Sequence, residues 1–124
     1  MPVPILRQGD ILIASIQAAL TDHDLVQLRD DLSDQVGRHR AHGVLIDVTS
    51  LDVLDSFASR TIRGIAHATR LRGAETVVVG IQPDVAFSMV QLGLSLEGVA
   101  TALDLEEGLE HLRTRAARGG RRAG

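Results

Sequence analysis

Cysteine is absent from the chain, which removes disulfides, thiol nucleophiles and thiolate metal sites. Lysine is absent too: all 13 basic residues are arginine. That leaves no Walker-A phosphate lysine, no Schiff base, and no lysine of the kind receiver domains set beside a phosphorylated aspartate. Tryptophan and tyrosine are missing, and aromatic residues make up 2% of the sequence. The core must therefore be aliphatic, and a hydrophobic content of 44% can fill one. No apolar run approaches the roughly 20 residues needed to cross a bilayer. The start, Met1-Pro-Val-Pro-Ile-Leu-Arg7, lacks the basic residues and long apolar stretch of a signal peptide. These absences point to a cytoplasmic protein with no membrane partner, and a length of 124 residues points to a single domain. An Arg-only, Ala- and Gly-rich composition suggests a GC-rich bacterial genome.

What charge there is lies unevenly. Residues 113–124 hold five arginines (113, 115, 118, 121 and 122) and no acid, a charge of +5. The preceding residues carry eight arginines against all 16 acids, or −8, which leaves the chain at −3. Clustered arginines invite a nucleic-acid reading. The body is acidic, however, and has no tyrosine or tryptophan to stack on bases. A solvated, disordered tail following a domain over 1–112 is the better expectation, with no nucleic-acid partner.

The periodicities alternate. Ile5-Leu6 and Ile11–Ser15 read as two strands around the turn-forming Gln8-Gly9-Asp10, an opening hairpin. Thr21-Asp-His-Asp24 has the form of a helix start, and Leu25, Leu28, Leu32 and Val36 follow at helical spacing, with Gly43 beyond the end. Gly43–Val48 is a short apolar run that reads as a buried strand. A second helix opens at Ser56, with Ala58, Ile62, Ile65, Ala66 and Thr69 inward and Arg60, Arg63 and Arg70 outward. Thr76–Gly80 is a β-branched strand ended by glycine. Pro83-Asp84 starts a short helix through Val85, Met89 and Val90, stopped by Gly93. A brief strand near Val99-Ala100 and a helix from Asp104, with Leu105, Leu109 and Leu112 on one face, complete the order. Strands alternating with helices after a hairpin predict an α/β fold, a mixed sheet with parallel crossovers and about four helices.

Between the buried strand and the second helix lies Asp47-Val-Thr-Ser-Leu-Asp-Val-Leu-Asp-Ser-Phe57. It sets a hydroxyl at a helix start, with Asp52 and Asp55 beside it and the apolar Leu54 and Phe57 flanking. From these residues alone Ser56 is either a helix cap or a place to put a phosphate. Ser59 is a secondary candidate that reads better as an early-turn helix residue, and Thr49 and Ser50 read as local loop hydrogen bonders.

The stretch "DVTSLDVLDSF" resembles the signature of the STAS domain, the fold of anti-sigma-factor antagonists. With "LIASIQ" in the second strand, "VVVGIQP" at 77–83 and "ALDLEEGLEHL" near the end, the likeness runs from about Pro4 to Leu112. Within that family it more closely resembles the small RsbS-like scaffolds of the bacterial stressosome. The basic segment beyond Leu112 departs from that pattern. The resemblance implies a non-catalytic protein without cofactor or metal. Such a protein assembles with RsbR-type STAS paralogues into a large hetero-oligomeric shell or homo-oligomer and sequesters an RsbT-like serine kinase. By position it makes Ser56 the phosphoacceptor, reset by a phosphatase, with Asp52, Leu54, Asp55, Phe57 and Arg60 as the partner-binding surface.

Other chemistries have weaker support. Asp47 stands where a receiver domain phosphorylates an aspartate, but without the companion lysine it reads as ordering the loop. Asp47, Asp52 and Asp55 match no established magnesium loop. His39 and His42 have helical i, i+3 spacing and no third ligand, and His23, His67 and His111 are scattered. Gly80-Ile-Gln-Pro83 is an ordinary turn rather than a phosphate loop, and Arg60 and Arg63 have a solvated helix face as the alternative. A freely diffusing anti-anti-sigma factor, switched at the same serine, is the nearest competing function. A small enzyme acting at Ser56 or Asp47 lacks an argued base beside its nucleophile.

Overall fold

The computed structural model describes residues 3–17 and 20–123, the last seven by backbone only. Five strands and four helices follow one another as β1 (Ile5–Gln8), β2 (Ile11–Ser15), α1 (Asp22–His39), β3 (Gly43–Asp47), α2 (Ser56–Leu71), β4 (Glu75–Val79), α3 (Pro83–Gln91), β5 (Ala100–Ala102) and α4 (Leu105–Ala123). The strands form one sheet in chain order: β1 runs antiparallel to β2, and every later pair is parallel. This is the mixed sheet that the alternating periodicity predicts.

Period-2 alternation sorts the strand side chains to two faces. Val44 and Ile46 of β3 and Val78 of β4 join Leu12, Ala14 and the buried faces of α1 and α2. Their neighbours Leu45, Val77 and Val79 turn the other way, onto Leu109 and Leu112 of α4. Both faces of β3 and β4 are thus covered, which is why those strands read as continuous apolar runs. Gly108 lets α4 lie close: a Cβ there would sit 2.6 Å from Val79 Cγ1 and 2.9 Å from Leu45 Cδ1.

The helix ends follow the local chemistry. Thr21 and Asp24 form a reciprocal capping box at α1. At its other end the cap residue is Arg40 in the left-handed region (φ 51°), where glycine is usual. In α3, Val85 and Met89 face the core as expected, whereas Val90 is exposed. The last strand lies slightly later than expected, at Ala100–Ala102. Asp104 precedes α4 and accepts from the Glu107 N–H at 2.9 Å. The backbone of α4 continues as helix past Leu112 to Ala123, where the sequence suggests a tail without structure. Arginine and alanine are strong helix formers, and Arg115 is held to Glu75 of β4 at 2.8 Å. No helix among the described residues is long and apolar enough to cross a membrane.

Candidate functional site

Strands β2, β3 and β4 deliver their C-terminal ends to one edge of the sheet, where α1, α2 and α3 begin. The β3–α2 loop is anchored there at three points. Asp47, closing β3, accepts through Oδ1 from the Thr49 N–H at 2.9 Å and from the Thr49 hydroxyl at 2.5 Å. The Gln82 side chain donates to the Thr49 carbonyl at 2.6 Å, which ties the loop to the start of α3. Gly80 (φ 81°) lies so close that a Cβ would run into Thr49 Oγ1. Asp47 thus orders the loop through Thr49.

Beyond the anchor, Leu54 is buried and Asp55 becomes the N-cap of α2, its Oδ1 accepting from the Ala58 N–H at 2.8 Å. Of the two roles the sequence leaves open for Ser56, capping is excluded: Asp55 is the cap. A carboxylate in extended conformation (φ −81°, ψ −178°) both bonds the free N–H and places its charge at the positive end of the helix. Ser56 is the first helical residue, exposed, and its hydroxyl is bonded to none of the described residues. Arg60, one turn on, donates from Nε to the Ser56 carbonyl at 3.3 Å.

Phe57 is partly buried against the core, and Arg63 is exposed. Ser59, the secondary candidate, is 1% exposed with no partner for its hydroxyl, so it is closed to any modifying enzyme in the folded state. Ser50 is exposed in the loop. His39 and His42 diverge: His39 Nδ1 accepts from Arg7 at 2.8 Å, and His42 lies 3.6 Å from Asp10. Among the described residues no three His, Cys, Asp or Glu side chains are grouped to hold a metal ion.

One feature of the site does not follow from the loop sequence. Beside Asp55 opens a groove of about 250 Å³, walled by Ile16, Leu20, Leu25, Leu54 and Ile62 and rimmed by Asp22, Asp52 and Asp55. Val53 also lines it and is 64% exposed, whereas Leu54 is only 3% exposed. Of the two adjacent apolar residues, Val53 is therefore the one presented to solvent, and Leu54 supports the wall. A hydroxyl free of structural duty, an apolar groove and an acidic rim share one end of the molecule.

Residues 3–108 match the STAS domain family. The chain is 34% identical over 108 residues to the RsbT co-antagonist protein RsbRA of Bacillus subtilis (strain 168), covering 87% of this chain and 39% of that protein. RsbRD of the same organism, also described as an RsbT co-antagonist, is 24% identical, with 88% and 40% covered. The chain thus spans about two-fifths of the length of these relatives. Among solved structures, a serine-to-glutamate variant of RsbS from Moorella thermoacetica superposes with a TM-score of 0.80 at 35% identity, covering 93% of this chain and 97% of that one. A chain from a structure describing the molecular architecture of the stressosome, a signal integration and transduction hub, superposes at 0.75 with 36% identity, with 91% and 98% covered.

Proposed function

The chain belongs to the STAS domain family, with an RsbS- and RsbR-like sequence and fold, and from that premise we propose that it is a non-catalytic, phosphorylation-switched scaffold. In this reading it assembles with RsbR-type paralogues, holds an RsbT-like serine kinase, and releases that kinase when Ser56 is phosphorylated. A phosphatase resets the site. The observation that carries the reading is the division of labour at the start of α2: Asp55 caps the helix, and the neighbouring Ser56 hydroxyl is left exposed beside an apolar groove.

The physics of the switch follows from that geometry. Phosphorylation adds about −1.5 to −2 charges and three acceptor oxygens. At the first helical position those oxygens meet free backbone N–H groups and the positive end of the helix dipole. The modified domain therefore stays folded. The new charge instead falls next to Asp52 and Asp55, on the rim of the groove where Val53 is exposed. A docked partner would lose about 2–5 kcal/mol through desolvation and like-charge repulsion, or roughly 30- to 5,000-fold in affinity.

Titrating the RsbT-like kinase with wild type, Ser56→Ala and Ser56→Asp tests the release step. Wild type and Ser56→Ala should bind alike, and Ser56→Asp should bind more weakly, since one carboxylate supplies part of the phosphate charge. Equal binding by all three would remove Ser56 from the docking surface. Sedimentation of the chain with an RsbR-type paralogue addresses the scaffold itself: particles far larger than a dimer are expected.

A further inference from the structure

The groove end of the molecule is rich in exposed acids. Asp22, Asp52, Asp55, Asp84, Asp104 and Glu106 are all exposed where strands end or helices begin. Among the described residues none of the six is in an ion pair; the pairs that do form involve other acids, on α1, β4, α4 and the β1–β2 turn. At the opposite end the sequence supplies the complement. Residues 113–124 carry five arginines and no acid.

The course of α4 keeps these two features apart within one molecule. Gly108 lies over Val79 at the C-terminal end of β4, and Leu112 lies beside Gly43 at the N-terminal end of β3. Arg115 pairs with Glu75, the first residue of β4. The helix therefore runs antiparallel to the strands and passes Arg115 at the edge opposite the groove. From there its backbone continues as helix to Ala123, about 12 Å at 1.5 Å per residue, directed away from the groove. No chain can fold this segment into its own acidic end.

We propose that the arginine-rich end of α4 from one copy of this chain docks on the acid-rimmed groove of a second copy. The contact is head-to-tail: each copy offers one basic segment and one acidic groove. Such a heterologous interface propagates into a ring or an open chain rather than stopping at a symmetric pair. It uses charge complementarity to fix which ends meet, with the apolar groove wall behind the rim, and a phosphate on Ser56 adds negative charge beside that rim and so strengthens this contact.

Sedimentation velocity over a concentration series tests it, on the full chain and two variants. One reverses the arm (Arg118→Glu, Arg121→Glu and Arg122→Glu); the other reverses one of the three rim charges (Asp52→Arg), taking the rim from −3 to −1. The wild type should form concentration-dependent species beyond dimer. Their association constant should fall roughly tenfold or more between about 0.1 M and 1 M salt, as the screening length drops from about 10 Å to about 3 Å. Each variant alone should associate at least about tenfold more weakly. Mixed in equal amounts they should form dimers and nothing larger, because only one arm–groove contact remains competent. Circular dichroism confirms that each variant is folded. A wild type monomeric at every concentration and salt would overturn the proposal, leaving the arm to an acidic partner of another kind. So would association that is unchanged in the variants, or a mixture that remains monomeric.

Discussion

Removing the Asp55 carboxylate should destabilise the fold where removing the Ser56 hydroxyl does not. In Asp55→Ala the Ala58 N–H loses the acceptor it holds at 2.8 Å. Replacing a capping side chain by alanine costs about 1 kcal/mol, within a range of about 0.5–2. Withdrawing the negative charge from the helix start adds about 0.3–1 kcal/mol. The sum is roughly 1–3 kcal/mol. With an unfolding entropy near 2.1 cal/mol/K per residue, each kcal/mol in a chain of 124 residues moves Tm by about 4 °C. Asp55→Ala should therefore melt about 4–12 °C lower. Asp55→Asn keeps the acceptor and loses only the charge, so it should recover most of the difference. Ser56→Ala removes no hydrogen bond, and alanine is the better helix former, so its stability should stay within about 0.5 kcal/mol of wild type. Urea and thermal unfolding of the three variants decide the matter. A loss of about 1 kcal/mol in Ser56→Ala with none in Asp55→Ala would make Ser56 the cap after all. The claim that its hydroxyl is free would then fail.

Three further outcomes follow from the same packing. Gly80→Ala puts a side chain at φ 81° and into Thr49 Oγ1, which should cost about 2–4 kcal/mol by urea unfolding and raise amide exchange across residues 48–55. Gly108→Ala should lower stability by about 1 kcal/mol even though alanine favours the helix, because overpacking against Val79 and Leu45 outweighs propensity; a more stable variant would show that α4 can lift off the sheet at no cost. Acid should loosen the start of α1. The Thr21 backbone N–H, bonded to the Asp24 carboxylate, helps hold that group below its usual range. A depressed carboxyl stabilises the folded state above its unfolded pKa, so this contribution fades as pH falls through and below about 4. The Asp24 titration should show a midpoint below that of an ordinary aspartate, and Thr21→Ala, which keeps the backbone N–H and removes the hydroxyl that also lowers it, should raise it part of the way.

The order of elements was legible because this chain keeps its two periods distinct. Val44 to Ile46 and Val77 to Val79 read as strands because helices cover both faces of them, and Leu25, Leu28, Leu32 and Val36 fall on one helical stripe. Finer features depended on contacts that no local pattern carries. Asp55 and Ser56 are both good capping residues, so composition cannot say which one takes the role; the extended backbone at Asp55 decides it. The loop has no periodicity, and nothing in Asp52-Val-Leu-Asp55 marks Leu54 as the buried residue and Val53 as the exposed one. The groove needs walls from Ile16, Leu20 and Leu25, far away in sequence, and only the parallel pairing of β2 with β3 brings them to the loop. The continuation of α4 past Leu112 depends in part on Glu75, which takes both His111 and Arg115. That Ser56 opens α2 was legible from the local pattern; its freedom from capping was not.

The central claim is that Ser56 is the switch. Its most direct test is intact-mass and site mapping after incubation with ATP and an RsbT-like serine kinase, wild type beside Ser56→Ala. One phosphate on the wild type, located at Ser56 and absent from the variant, is the predicted result. Phosphate on Ser56→Ala, or on neither protein, would contradict it and leave the domain a passive interaction module.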